Sequence, residues 1–477
     1  LAAAFGAAPA QAAPEGGTVR AGSATITGNG LQTRIDQSSM RAVIDWRSFS
    51  VGAGEQVLFV QPSAQSATLN RVTGSQLSTL AGRIDANGQV FLVNPNGVVI
   101  GAGARLDVGS FVASTANVGT ADFMAGRLVF NEPGQAGAAV VNEGRITAAE
   151  GGLVALVAPH VRNDGLIQAR LGRVVLGGGD TFALDLYGDG LLSLALDRAQ
   201  AARVAHSGRI EADGGQVVLV SAATARAALD SVVNLSGTVR ADTVERQGGR
   251  IVLRAGGAAE VSGALSAQGQ AVGQRGGGIE VTGAQVTLAA GANLDASGQA
   301  GGGTVHVGGG WQGGGATPRA ATTTVAAGAR LAADARQQGA GGEVVVWSDG
   351  ATAYAGRISA RGGEAGGDGG RVEVSGKGTL DFAGEVDAGA AAGRGGAAGL
   401  LLLDPEVMRI GAAEASLLGR VLRTGTSTTL QADLDIQVDA LIDGRGGTAG
   451  GGLVLRAGRD IALHESIVTA DGAVRLE

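Results

Sequence analysis

Cysteine is absent from all 477 residues, which excludes thiol nucleophiles, cysteine-ligated zinc and disulfide cross-links. Lysine is almost absent too: Lys377 stands alone, and arginine supplies the other cations. With 36 basic against 43 acidic residues, a net charge of −7 and no basic block, the charge pattern fits neither nucleic acid nor a polybasic membrane anchor. No apolar run approaches the roughly 20 residues of a membrane-spanning helix, and Leu400 to Leu403 falls far short of it. Aromatic residues make up only 3% of the chain.

Glycine is abundant, with 86 residues against 8 prolines. It shows no three-residue period, which rules out collagen, and 44% hydrophobic content with 17% charge argues against disorder. From Val140 onward one phrase recurs: a glycine, a short alternating stretch, more glycine, then a second alternating apolar stretch. GRIEADGGQVVLVSA from Gly208 is one example, and GRISARGGEAGGDGGRVEVSG from Gly356 is another. The phrases open at Gly208, Gly237, Gly263, Gly291, Gly328, Gly356 and Gly384, a spacing of roughly 28 residues with one wider gap after Gly291. Alternation of period two predicts strands, and a near-constant long period predicts a solenoid. An antiparallel sandwich would show closely and regularly spaced hairpin turns and no long period. The reading is all-β, a parallel β-helix with inward Val, Ile, Leu and Ala and outward Arg, Glu, Asp and Thr.

Seven of the nine phenylalanines lie between Phe49 and Phe182, with Trp46 just before them. This predicts a bulkier module over residues 13–230, then a lean Gly-rich shaft over 231–399. The Gly-rich stretches 275–278, 301–315 and 362–370 are expected as loops off that shaft. Beyond it, 400–477 opens with LLLLDPEVMRIGAAEASLLGRVLRTG, where Glu414 to Leu422 has helical spacing, and then returns to strands. The chain is expected to stop mid-repeat, as a truncated sequence. Residues 1–12, small and apolar and ending Ala10-Gln11-Ala12, are expected to be the remnant of a signal peptide cleaved after Ala12.

Within the first module, apolar alternation is interrupted by Asn94-Pro95-Asn96-Gly97. Asn tolerates left-handed angles, Pro fixes φ and Gly accepts positive φ, so the tetrapeptide is a turn. Its surroundings resemble the two-partner secretion domain of filamentous haemagglutinin-like exoproteins. The matching segments are VIDWRSFSVGAGEQVLFVQPS from Val43, TLNRVTGSQLSTLAGRIDANGQVFLVNPNGVVIGAGARLDVGSFVAST from Thr68, DFMAGRLVF from Asp122, and VNEGRITAAEGGLVALVAPHVRNDGLIQARLGRVVLGGGD from Val141. LLLLDPEVMRI resembles a segment found downstream of that domain in large exoproteins of this type. The family's second motif, Asn-Pro-Asn-Leu, is absent.

The resemblance implies a right-handed parallel β-helix with short extra-helical strands or hairpins near an N-terminal cap. It implies export through the periplasm and an outer-membrane transporter of the Omp85-like class, whose periplasmic domains recognise the module, to the cell surface or medium. The absence of cysteine suits a chain that crosses an oxidising periplasm unfolded. Carried over, the transporter-recognition residues are Asn70, Arg71 and Val72 with Asn94, Pro95, Asn96 and Gly97. Each has a structural alternative: the tetrapeptide as a plain corner, and Asn70 as a residue in a tight corner between coils.

Catalytic signals are thin. His160, His206, His306 and His464 are scattered without metal-ligand spacing, and no cofactor or metal is expected. Asp185, Asp189 and Asp197 form the densest acidic set and read as decoration of an exposed strand and turn. Asp368 lacks a sustained calcium repeat, and the glycine clusters lack the Lys-Ser/Thr of a phosphate loop. The expected function is that of a non-enzymatic surface or secreted adhesin, with host cell or matrix receptors as partners. A haem- or haemopexin-binding exoprotein is the alternative within the same export class. A polysaccharide-cleaving β-helix enzyme, which needs carboxylates converging in a groove, is the alternative outside it.

Overall fold

The computed structural model describes residues 13–184, 192–194, 202–221, 231–391, 393–447 and 451–477, with backbone alone at 192–194. The expected signal remnant 1–12, the boundary at 230 and Asp185, Asp189 and Asp197 lie outside the described residues. The chain divides into two compact units, residues 1–211 and 212–477. No helix among the described residues is long and apolar enough to cross a membrane.

Each unit is a parallel β-helix whose coils contribute one strand to each of three faces. In the first unit, one coil runs through Gln89–Val93 on the first face, Val98–Ile100 on the second and Arg105–Val108 on the third, then returns to the first at Ser110–Ser114. Val90 pairs in parallel with Phe111 and Val154 with Val174, so a coil here takes roughly 20 residues. Coils of the second unit are longer: Ile251 pairs with Ile279 and Val344 with Val372, roughly 28 residues per coil. The glycine period in the sequence is this coil length.

Alternation explains the core. In Arg105–Val108 the burial runs exposed, buried, exposed, buried, so Leu106 and Val108 point in and Arg105 and Asp107 point out. Stacked in register, Ile84, Leu106 and Ile146 form one apolar column, each side chain no more than 1% exposed. Burying such a side chain stabilises by about 1.5–3 kcal/mol, and each coil repeats the gain. Glycine at the corners is a packing requirement. A Cβ on Gly249 would stand 1.5 Å from the Ala241 carbonyl oxygen.

Two antiparallel pairs belong to the first and third faces of this stack. Thr18–Ala21 pairs antiparallel with Arg41–Trp46, and Ala24–Gly28 with Gln32–Gln37, before the parallel ladders begin. The second pair is a hairpin near the N-terminal cap, as expected, but both pairs belong to the sheets of the β-helix instead of standing outside it. The stack also carries an insertion, residues 116–138, holding a short helix, Thr120–Met124. Phe123 from that helix packs edge-on against Phe91 at 5.2 Å, and Arg41 lies over its ring.

In the second unit the ladders are interrupted once. The first face passes from Arg371–Gly376 to Gly399–Leu403 to Thr426–Ala432 without a break. The second face ends at Thr379–Phe382 and restarts as a separate sheet at Met408–Ile410. On the third face, a helix, Ala412–Arg423, packs against Glu385–Asp387 and Ile442–Asp443 in place of a strand. This helix contains the Glu414–Leu422 segment with helical spacing. The Glu414 carboxylate accepts the Gly411 N–H at 3.1 Å, and Arg420 and Arg423 stand in the last turn, where cations suit the helix dipole. Arg423 also donates to the Asp443 carbonyl at 2.6 Å.

Candidate functional site: an asparagine-stapled corner

Asn94 to Gly97 form the corner between the first and second faces. The Gly97 N–H donates to the Asn94 carbonyl at 3.0 Å, closing a four-residue turn, and the Asn96 N–H donates to Asn94 Oδ1 at 2.9 Å. Gly97 has φ +115°, and a Cβ there would lie 2.9 Å from the Ala139 carbonyl oxygen. Both facts require glycine.

The two asparagine side chains reach across coils. Asn94 is fully buried; its Nδ2 donates to the Gln76 carbonyl at 2.9 Å and to Ser78 Oγ at 3.0 Å, both in the preceding coil. Its backbone N–H donates forward to the Ser114 carbonyl at 3.0 Å. Asn96, half-buried, donates from Nδ2 back to the Gly74 carbonyl at 2.9 Å. The Pro95 carbonyl accepts the Gln135 N–H at 2.8 Å and so ties the insertion to the corner. A turn-forming tetrapeptide has become a staple through successive coils.

Asn70 performs the same task elsewhere. It does not sit in a corner, as the sequence suggested; it lies inside strand Ala67–Val72 and is fully buried. Its Oδ1 accepts the Trp46 indole N–H at 3.1 Å from the preceding coil, and its Nδ2 donates to the Phe91 carbonyl at 3.2 Å in the next. The reason is the neighbouring tryptophan: a buried indole N–H needs an acceptor, and an asparagine one coil on supplies one. Pleating puts Arg71 on the opposite side of the strand, where it pairs with Asp45 at 2.8 Å and reaches Thr120 Oγ1 at 3.4 Å. Asp45 also pairs with Arg20 at 2.8 Å, so one nearly buried carboxylate joins the N-terminal strand to the first face, and Arg71 extends the link to the inserted helix. Val72 is 2% exposed.

The structure therefore brings the seven residues to neighbouring coils but spends their side chains internally. Asn70, Val72, Asn94 and Gly97 are buried, while Arg71, Pro95 and Asn96 keep partial surface. Sequence reasoning missed Trp46, Asp45 and Thr120 as their partners. The signal available was the parallel register, because Asp45 stands opposite Arg71 and Trp46 opposite Val72.

The histidines stay apart. His206 is buried and bonded to Asn163, itself bonded to Asn142 at 2.7 Å, in a polar ladder down one corner. His306 meets Glu343 at 2.9 Å, and His464 meets Asp439 at 2.7 Å. Among the described residues, no three His, Cys, Asp or Glu side chains cluster as a metal site. A groove of about 690 Å³ on the third face of the second unit is lined by Asp295, Asp334 and Asp387 together with Arg330 and Arg420. Each of these carboxylates caps a corner: Asp295 accepts the Ser297 N–H at 2.8 Å, Asp334 the Arg361 N–H at 2.7 Å and Asp387 the Gly389 N–H at 3.1 Å. Burial raises Asp387 above the usual carboxylate range.

Comparison with known proteins gives this geometry a context. A family model of the TPS secretion domain matches residues 10–270. A heme/hemopexin-binding protein of Haemophilus influenzae is 36% identical over 252 residues, which is 51% of this chain and 27% of that protein. A second heme/hemopexin-binding protein of Haemophilus influenzae is 44% identical over 81 residues, 17% of this chain and 9% of that one. The chain thus spans about a quarter of the length of the first relative. Among solved structures, the HMW1 secretion domain from Haemophilus influenzae superposes with a TM-score of 0.70 at 32% identity, covering 82% of this chain and 100% of that one.

Proposed function

Because the chain belongs to the TPS secretion domain family, we propose that it is exported to the cell surface or medium by a cognate outer-membrane transporter, and that the asparagine-stapled corner serves that export. The observation that carries the reading is the family match over residues 10–270, a span that contains the whole stapled corner. Outside the inner membrane there is no ATP, so forward movement needs another bias. Coil stacking supplies one: each coil that closes buries apolar surface at roughly 25 cal/mol per Å² and opposes return.

We read the seven motif residues as acting mainly before the coils close. In the folded unit the side chains of Asn70, Val72 and Asn94 are buried and committed, which leaves Arg71, Pro95 and Asn96 as the surface an Omp85-like partner with periplasmic domains would meet. The test is secretion of the chain with and without its transporter. Export is expected to require the transporter and to fall in N96A. Equal amounts outside the cell without the transporter would overturn the reading.

For the exported chain we propose binding rather than catalysis, with adhesion to host cells or matrix as the first activity. Capture of haem or a haem carrier is the second, favoured by the name and 36% identity of the Haemophilus influenzae relative. That match covers half of this chain, and the secretion-domain family model covers a span of similar length, so it speaks more to export than to cargo. Loss of cell binding on deletion supports adhesion, whereas loss of growth on a haem source supports the second reading.

A further inference from the structure

One coil of the second unit is longer than its neighbours. Val305 pairs with Val344, whereas the coils on either side run only from Ile279 to Val305 and from Val344 to Val372. The surplus is GGGWQGGGATPR, Gly308 to Arg319. Its six glycines suggest a loop leaving the shaft. Instead it folds back over the outer side of the first face. A Cβ on Gly309 would stand 2.5 Å from the Trp347 ring and one on Gly313 2.7 Å from it, so the backbone lies flat on the indole. The Arg371 guanidinium lies 4.0 Å over the Trp311 ring. The Gln312 N–H donates to Glu373 Oε2 at 2.6 Å.

Two features of this contact bear on what it does. Gln312 is held at φ 52°, ψ 34°, a left-handed conformation that costs any residue with a Cβ. Glu373 is 0% exposed; its second oxygen has only the Ser375 hydroxyl nearby, too poorly placed for a good hydrogen bond, and the Trp347 indole nitrogen has no partner. A strained strap thus covers a half-satisfied carboxyl group.

We propose that Gly308–Arg319 is a pH-gated strap, closed over Glu373 and Trp347 while the carboxyl is protonated and lifting as it ionises, which uncovers both with Trp311 on the outer side of the first face. Burial pushes the Glu373 carboxyl in the closed state up to about 7, against the Gln312 N–H and the Ser375 hydroxyl, and Asp404 from the following coil and Glu343 from the preceding strand add to the rise. The other charged groups at this patch are already engaged. Glu343 is held by His306 at 2.9 Å and by Arg371 at 3.4 Å, and Arg319 on the strap pairs with Asp349 at 3.3 Å. With the strap lifted, the carboxyl returns toward its ordinary value of 4.5. The group is raised in the closed state, so closure is fullest below that ordinary value and is lost as pH rises through about 7.

Hydrogen–deuterium exchange of the full chain tests this, read at about pH 5.5 and about pH 8.5 and corrected for intrinsic rates. The two carboxyl values imply that protection of the strap falls about thirtyfold between those conditions. In E373Q, which cannot ionise, protection should stay high at both. Histidine is the other side-chain type that changes charge in this range, so H306N serves as the control and should keep the response. An equal fall in E373Q, no fall in the wild type, or a response lost in H306N overturns the proposal. Should E373Q fail to fold, acrylamide quenching of wild-type tryptophan fluorescence decides. Quenching must rise between about pH 4.5 and about pH 7 and level off above, and a flat profile refutes gating.

Discussion

Replacing Asn94 by alanine probes the stapled corner most directly. The substitution deletes the bonds from Nδ2 to Gln76 and Ser78 and those from the Asn96 backbone and side chain to Oδ1, all between 2.9 and 3.0 Å. The site is fully buried, so water does not replace them. At about 1 kcal/mol per bond, with some relaxation of Ser78 and Asn96, the loss is about 3 kcal/mol. N96A removes only the bonds to Gly74 and Asn94 from a half-buried site and should cost about 1 kcal/mol. A coiled stack need not unfold in one step, so the measurement is local exchange over residues 73–100 in the purified chain, with strands of the second unit as reference. The order N94A worse than N96A is the essential result. N94A within about 0.5 kcal/mol of wild type would refute the staple, a bound set by ordinary surface substitutions. Export adds a second axis. If N96A blocks secretion while costing little stability, the transporter reads that side chain; if secretion follows stability across both variants, the motif acts as a fold element.

Two further outcomes follow from the same coils. G97A places a Cβ on a residue at φ +115° and 2.9 Å from the Ala139 carbonyl, and should destabilise the corner by about 1–3 kcal/mol in the same exchange assay. N70L keeps the approximate size of the side chain but strands the Trp46 indole N–H, so a loss of about 1–3 kcal/mol is expected with a shift in the emission of that tryptophan.

Much of the architecture was legible because a solenoid writes its geometry as a period. The glycine spacing returned as the coil length of the second unit, and the Asn-Pro-Asn-Gly turn returned as a corner. The helix was legible because Leu417, Leu418, Val421 and Leu422 recur at helical spacing and are buried together. What escaped depends on which residues register places opposite each other. Asn70 sits in an alternating strand, and only the indole one coil earlier explains an amide there. The strap was hidden by composition, since glycine allows a segment to project or to lie flat against an aromatic face with equal ease. Trp311 and Trp347, one on the strap and one on the next first-face strand in a chain with three tryptophans, were the available clue.

The interrupted ladders of the second unit carry a mechanical consequence. Up to Phe382 and Asp387, tension along the coil axis is shared by three rows of interstrand bonds. Between that coil and the next, among the described residues, a single row carries it, Arg371–Gly376 to Gly399–Leu403; one coil further on, Met408–Ile410 already pairs with Asp435–Val438 and restores a second row. The helix Ala412–Arg423 bears load there through side-chain packing and isolated bonds such as that from Arg423 to Asp443, which yield sooner than a ladder. Load along the coil axis of this unit would part it at this seam first.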